Sequence, residues 1–238
     1  MASLDHKDKN LYEIFATEAS EGFHSLFPSL IYCKTLDTPD DIHERMTDYV
    51  EKFYSEQADS EEDYKPNITG DVSNNYTIHN QPEFEWLNSA IADACDQYFL
   101  RLGIDTSTVN LYAQKSWPVV CSRRGGSVDE HMHINSILSV VYYLKADDND
   151  TGMFYFTDTH SCFSSLPIDA TPTIFNMKKM YYTPKPKRLL VFPSNMMHGV
   201  DVYFGKTPRL SVSYDLIPTS TNSSNELQVT DPKTWKLL

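Results

Sequence analysis

The sequence predicts a mainly β protein with flanking helices, closed as a jelly roll of two antiparallel sheets. Three observations carry this reading. Helical periodicity is confined to the chain before Thr106. Beyond it, short apolar runs of strand length follow one another. Turn-forming clusters separate these runs at Arg124-Gly125-Gly126, Asp147 to Gly152 and Gly205 to Pro208. Helices first and strands afterwards place the helices on one outer face of an all-β core. Two packed sheets are the simplest closure for so many strands.

Residues 1–22 are charged and polar and read as a loosely attached arm. The globular part, 23–217, opens with PSLIYCKTL (28–36), an apolar run that suits a strand. After Pro39 and two aspartates, Ile42, Met46, Val50 and Phe53 recur at helical spacing. Residues 55–81 are acidic and then rich in Asn, Thr and Gly, and read as an exposed loop. Phe84, Leu87, Ile91, Cys95, Phe99 and Leu102 define a second amphipathic helix within 82–103, stopped by Gly103. The strands expected next are VNLYAQKSWPVV, SILSVVYYLKA, GMFYFT, KRLLVFP, GVDVYF and RLSVSYDL. Between two of them, 173–187 mixes Met, Tyr and Lys and reads as a solvated loop, with a substrate lid as the other reading. From Pro218 the chain is polar and expected to lie on the surface as a tail, 218–238.

The 238 residues carry 20 basic against 33 acidic groups, a net charge of −13. That balance argues against a generic electrostatic grip on nucleic acid or an anionic membrane. A small molecule or a protein side chain is the expected partner, and an anionic ligand would need its own local cation. No secretory signal or run of about eighteen apolar residues is present, so a cytoplasmic protein is expected. Cys33, Cys95, Cys121 and Cys162 form no CxxC pair and read as ordinary thiols.

The chemistry concentrates in Asp129-Glu130-His131-Met132-His133-Ile134-Asn135. On a strand, side chains at i and i+2 share a face, so His131 and His133 can point into one cavity. The best third ligand is His198, after LLVFP. Histidine nitrogens with open coordination positions suit Fe(II) and oxygen chemistry. If the strand runs on without a break, Asn135, Ser139 and Tyr143 share that inward face, too polar a lining for a dry core. The last strand repeats the pattern, with Arg209, Ser211 and Ser213 on one face and Leu210, Val212 and Tyr214 on the other. Such a polar lining suits a ligand-filled barrel. His6, His24, His43, His79 and His160 have no partner at ligand spacing and read as surface or loop residues. Trp117 and Pro118 read equally well as a wall of the site or as core.

HMHINSILSVVYYL, GMFYF, RLLVFPSNMMHGV and RLSVSYDL, with the earlier LFPSLIY, resemble the Fe(II)- and 2-oxoglutarate-dependent oxygenases, in particular the branch typical of cyanophage and marine bacterial genomes. The resemblance implies a double-stranded β-helix of the cupin-like kind and a hydroxylating dioxygenase that converts 2-oxoglutarate to succinate. It sets His131, His133 and His198 at the metal. It also sets Arg209, Ser211 and Tyr143 on the distal carboxylate of 2-oxoglutarate, while Asn135 either contacts the bound molecules or holds the turn. An arginine fork suits a carboxylate.

The chain departs from that pattern in places. The wider superfamily has His-x-Asp/Glu where this chain has His-x-His, so Asp129 stands as an alternative ligand. Three neutral imidazoles would leave the iron with a charge of two rather than one. Val140, Ile134 and Lys187-Arg188 stand where the branch often has Gly, Pro and Gly. Two readings from other classes remain at this point. One is a cupin-like protein holding zinc or nickel without oxidative activity. The other is a phage interaction module that kept the fold.

Overall fold

Two α-helices and ten strands form among the residues that the computed structural model describes, which are 28–58, 67–69, 76–121, 125–147, 152–159, 171–221 and 231–237. The expected N-terminal arm, Cys162, His6, His24 and His160 lie outside them. The helices are α1 (Asp40–Ala58) and α2 (Glu85–Arg101). The strands are β1 (Tyr32–Thr35), β2 (Asn67–Thr69), β3 (Val109–Cys121), β4 (Gly126–His131) and β5 (Leu138–Lys145). They continue as β6 (Phe154–Thr157), β7 (Lys179–Tyr182), β8 (Arg188–Pro193), β9 (His198–Tyr203) and β10 (Arg209–Ser220). A six-stranded sheet has the order β1-β8-β5-β10-β3-β2, and a four-stranded sheet the order β4-β9-β6-β7. The chain passes back and forth between the sheets (β4, then β5, then β6; β8, then β9, then β10), which makes the fold a double-stranded β-helix.

The central strands β5, β8 and β10 of the larger sheet bury both faces, and alternation divides their residues between two cores. Val140, Tyr142 and Leu144 of β5, Leu189 and Val191 of β8, and Leu210, Val212, Tyr214 and Leu216 of β10 pack outward against the helices. There they meet Met46 and Val50 of α1 and Leu87, Ile91, Cys95 and Phe99 of α2. Val141 and Tyr143 of β5 and Leu190 and Phe192 of β8 point the other way, onto Phe154, Phe156 and Val200 of the smaller sheet. The helices therefore stiffen the outer face and leave the inner face for a ligand. Among the described residues no helix is long and apolar enough to cross a membrane.

Each helix has local reasons to form. Pro39 and two first-turn aspartates precede the apolar stripe of α1. A 3-10 turn, Pro82–Phe84, leads into α2, which ends where Gly103 takes φ +75°. Half-buried His43 on α1 bonds the Tyr142 hydroxyl and the Leu144 carbonyl, and half-buried His79 bonds Ser116. Desolvation lowers the pKa of both rings, so they serve as neutral packing groups rather than surface residues.

The structure differs from the sequence reading at four places. The 55–81 stretch begins as the last turn of α1 and contributes β2, which pairs along β3 and extends the sheet edge. Within 173–187 lies β7, a strand on β6, and not only a loop. The last strand continues past Pro218 to Ser220, pairing with Val109. Most consequential, the strand assumed to run from Asp129 through Tyr143 is interrupted. β4 ends at His131 in the smaller sheet, the chain bends at Ile134 and Asn135, and β5 starts at Leu138 in the larger sheet. His133 sits in this crossing, its N–H donating to the Ser194 carbonyl at 2.8 Å.

Lys187, one of the departures from the family pattern, has φ +65°, the region that favours glycine. Its ammonium compensates by donating to the Thr38 carbonyl at 2.8 Å and to Asp40 at 2.6 Å, which ties the start of β8 to the N-terminus of α1.

Candidate metal and anion site

The inner face of β10 carries Arg209, Ser211, Ser213 and Asp215, all buried. Across the pairing with β3 they meet Cys121, Val119, Trp117 and Lys115 in register. All of this double row but Cys121 lines a cavity of about 880 Å³, which His131, His133 and His198 also line. Apolar walls come from Val141 and Phe192 of the larger sheet and Phe154 and Val200 of the smaller one.

The three histidines come from three segments. β4 and β9 pair with His131 opposite His198, and the crossing brings His133 beside them. One ring nitrogen from each lies within 4.8 Å of the others. The Nδ1 atoms all face oxygen acceptors: the Asp129 carbonyl for His131 at 2.7 Å, the Met196 carbonyl for His198 at 2.8 Å and the Asp215 carboxylate for His133 at 2.5 Å. Backbone carbonyls only accept, so these Nδ1 atoms carry the protons and the Nε2 lone pairs turn inward. Nε2 of His131 and Nε2 of His133 stand 3.1 Å apart. Two nitrogens on one ion at about 2.0–2.1 Å stand at about that separation. Lone pairs held so close repel one another unless positive charge lies between them. Burial pushes the His198 imidazole down to about 4; the Met196 carbonyl raises it too little to compensate and the neighbouring His131 and His133 rings lower it further, so the ring is neutral and free to donate its lone pair. The donor set fits a divalent cation.

Asp129 enters this arrangement through its backbone carbonyl, and its carboxylate is not in the histidine group. The carboxylate that matters is Asp215, which the sequence reading did not single out. It accepts from His133 and from Ser139 Oγ at 3.0 Å, and Ser139 continues to Ser194 at 2.9 Å and Ser194 to Ser136 at 2.8 Å. A chain of short side chains thus anchors one ring to the larger sheet. The signal for Asp215 was present: it has the same parity on β10 as Arg209, Ser211 and Ser213.

Arg209 lies at the far end of the row, 1% exposed. Nη1 donates to the Gly152 carbonyl and Nη2 to the Cys121 sulfur at 2.8 Å, while Nε has no partner in the described structure. No carboxylate stands within ion-pair distance of it among the described residues. The Tyr143 and Tyr203 rings flank the guanidinium at 5.8 Å each. A buried, uncompensated guanidinium is costly, and a bound anion relieves that cost. Burial pushes the Tyr143 hydroxyl up to about 12, so it stays protonated beside that anion. Ser211 lines the cavity, making only a long 3.4 Å bond to the Val119 carbonyl. Asn135 is exposed in the bend at the cavity rim. Trp117 walls the site, its ring 5.7 Å from that of His133, whereas Pro118 is buried on the opposite parity.

Gly152 is required where it stands. Its φ is +66°, and a Cβ there would lie 2.7 Å from the Tyr203 ring and 3.2 Å from Arg209 Nη1. Gly152→Ala is expected to lower stability by about 1–3 kcal/mol in a denaturant melt, through strain in the left-handed region. It is also expected to weaken anion binding, because the carbonyl that holds Arg209 moves with it.

Comparison with known proteins bears on this geometry. Residues 115–215 match a family model described as "Putative 2OG-Fe(II) oxygenase". The matched stretch runs from Lys115 to Asp215 and so contains the whole histidine group and Arg209. Solved structures show the same fold. A prolyl hydroxylase from Trichoplax adhaerens, in complex with a hypoxia inducible factor peptide fragment, matches over 89% of this chain and 90% of its own, with 14% identity and a TM-score of 0.55. HygX from Streptomyces hygroscopicus, with nickel and 2-oxoglutarate bound, matches over 87% of this chain and 85% of its own, with 11% identity and a TM-score of 0.50. The chain spans 59% of an oxidoreductase of the 2OG-Fe(II) oxygenase family from Burkholderia pseudomallei, which covers 58% of this chain at 16% identity and a TM-score of 0.41. No curated protein matches the chain in sequence.

Proposed function

We propose that this protein is an Fe(II)- and 2-oxoglutarate-dependent dioxygenase that hydroxylates a small molecule or a protein side chain. The observation that carries the reading is one cavity holding both requirements. Three imidazole lone pairs converge on a point, and an uncompensated buried guanidinium lies in the same lining. The family model over 115–215 supports it. The cofactors are Fe(II), 2-oxoglutarate and O₂. A metal site kept only for structure, in zinc or nickel, would have no use for a buried arginine without a counter-charge, which disfavours the cupin-like alternative.

In this reading His131, His133 and His198 hold the iron, and Arg209 takes the distal carboxylate of 2-oxoglutarate with a planar fork. Tyr143 keeps its hydroxyl proton and donates a hydrogen bond to the same carboxylate, and Ser211 adds a second hydroxyl. When bound, iron with O₂ supplies oxidative chemistry in which 2-oxoglutarate loses carbon dioxide to become succinate while a substrate C–H becomes C–OH. The protein orients and dries the site. Val141, Phe154, Phe192 and Val200 exclude water from the face between the sheets. Asp215, hydrogen-bonded to His133, places a negative charge one ring away from the metal. It thereby makes up, at one remove, for the carboxylate that a His-x-His motif lacks.

The test is oxygen-dependent release of succinate from 2-oxoglutarate by protein loaded with Fe(II), without added substrate. Slow uncoupled release, absent without iron and absent in His198→Ala, is the expected result. Loaded protein that forms no succinate would sink the reading.

A further inference from the structure

The cavity carries a second cation that the proposed chemistry does not use. Lys115 is the in-register partner of Asp215, yet it makes no ion pair with it. Asp215 turns to His133 and Ser139, while the Lys115 ammonium sits 4.3 Å from the Trp117 ring centroid and 4.5 Å from that of Tyr76. Tyr76 is itself held at φ 54°, its carbonyl accepting from Ser116 N–H at 2.7 Å. That strained backbone keeps the ring in place beside the lysine. A half-buried ammonium whose partners among the described residues are ring faces can still take an anion.

Position decides which anion. Arg209 and Asp215 are six residues apart on β10, about 20 Å at the ~3.3 Å rise of a strand. Lys115 lies across from Asp215, so the two cations arise from opposite ends of the row and each can take an anion of its own. The 5.7 Å separation of the Trp117 and His133 rings places the lysine's own platform beside the histidine group. An anion on Lys115 would thus approach the metal position from the side opposite 2-oxoglutarate. Across the mouth, Met132 and Ile134 are exposed and apolar, Ile134 to 81%.

We infer that the prime substrate is a small acid, whose carboxylate or phosphate binds Lys115 while its apolar body lies on Trp117 and Tyr76 against the histidine group. This rests on the oxygenase reading, which supplies the occupant of Arg209. The net charge of −13 makes such a local cation necessary for any acid to enter.

The test uses full-length protein loaded with Zn(II), a redox-silent stand-in for iron, and 2-oxoglutarate. Phenylacetate, phenyl phosphate and the neutral phenylacetamide are titrated by calorimetry and by the indole N–H resonance of Trp117. At least one acid is expected to bind and shift that resonance, with phenylacetamide weaker by on the order of tenfold, the loss of a charge-assisted hydrogen bond. Lys115→Gln should lose the preference, Lys115→Arg should keep it, and both should bind 2-oxoglutarate as the parent does. Equal binding of acid and amide, preference retained in Lys115→Gln, or no binding of any probe to protein that does bind 2-oxoglutarate would overturn the inference alone. Failure of 2-oxoglutarate to bind would overturn the oxygenase reading and this inference with it.

Discussion

Replacing Arg209 with Met is expected to weaken 2-oxoglutarate binding severely while leaving the empty protein at least as stable as the parent. The guanidinium is buried, has an orphan Nε and faces no carboxylate among the described residues. Exchanging an uncompensated buried charge for an apolar side chain of similar length is commonly neutral or stabilising, by about 1–4 kcal/mol. Losing one partner of a desolvated charge pair costs about 2–5 kcal/mol of binding, so Kd should rise at least about thirtyfold. Thermal melts separate the two effects. In metal-loaded parent protein, 2-oxoglutarate at a hundred times its Kd should add about 2.7 kcal/mol of stability, and at the same concentration Arg209→Met should gain less than about 1 kcal/mol. Were Arg209 a structural residue, the variant would melt earlier without ligand and still respond to 2-oxoglutarate.

The second large effect concerns metal retention. His131→Ala, His133→Ala and His198→Ala each remove one of three converging lone pairs, and each is expected to strip the protein of iron on gel filtration. Asp129→Ala should retain it, because Asp129 contributes a backbone carbonyl that alanine also has. Asp215→Asn keeps an acceptor oxygen for His133 but loses the charge. Its metal affinity should fall about 10–100-fold, the usual cost of losing an outer-shell carboxylate. Iron content after dialysis against a graded chelator ranks all five variants. Retention in His131→Ala with loss in Asp129→Ala would reverse the ligand assignment.

How much of this was legible in the sequence depended on whether local patterning or long-range closure governed each feature. The alternation of RLSVSYDL divides β10 between helix-facing and cavity-facing residues, and a period of two is visible without tertiary knowledge. Continuing that count by two residues reaches Asp215, so its place was readable though it was not read. The break after His131 was harder to see. No Gly or Pro marks Met132 to Ser136, and only the pairing of β4 with one sheet and β5 with the other reveals the crossing. His131 and His133 meet all the same, because the crossing folds back over the histidine on β9 and not because one strand presents both. Edge strands β2 and β7 are only three and four residues long, and their pairing partners decide their state. The cradle of Arg209 was beyond sequence reasoning, since Gly152 and Cys121 lie 57 and 88 residues away. The helices and their buried stripes were legible, because their 3.6-residue periodicity is local.

The most direct test of the central claim is an anaerobic titration of the Fe(II)-loaded protein with 2-oxoglutarate, followed in the visible spectrum. A site in which three histidines hold iron and Arg209 holds the far carboxylate brings the keto acid onto the metal, and a charge-transfer band should grow to saturation at one equivalent. The band should be missing at the same concentration in Arg209→Met. Iron-loaded protein that takes up 2-oxoglutarate without any band, or shows the band unchanged in Arg209→Met, would contradict the account.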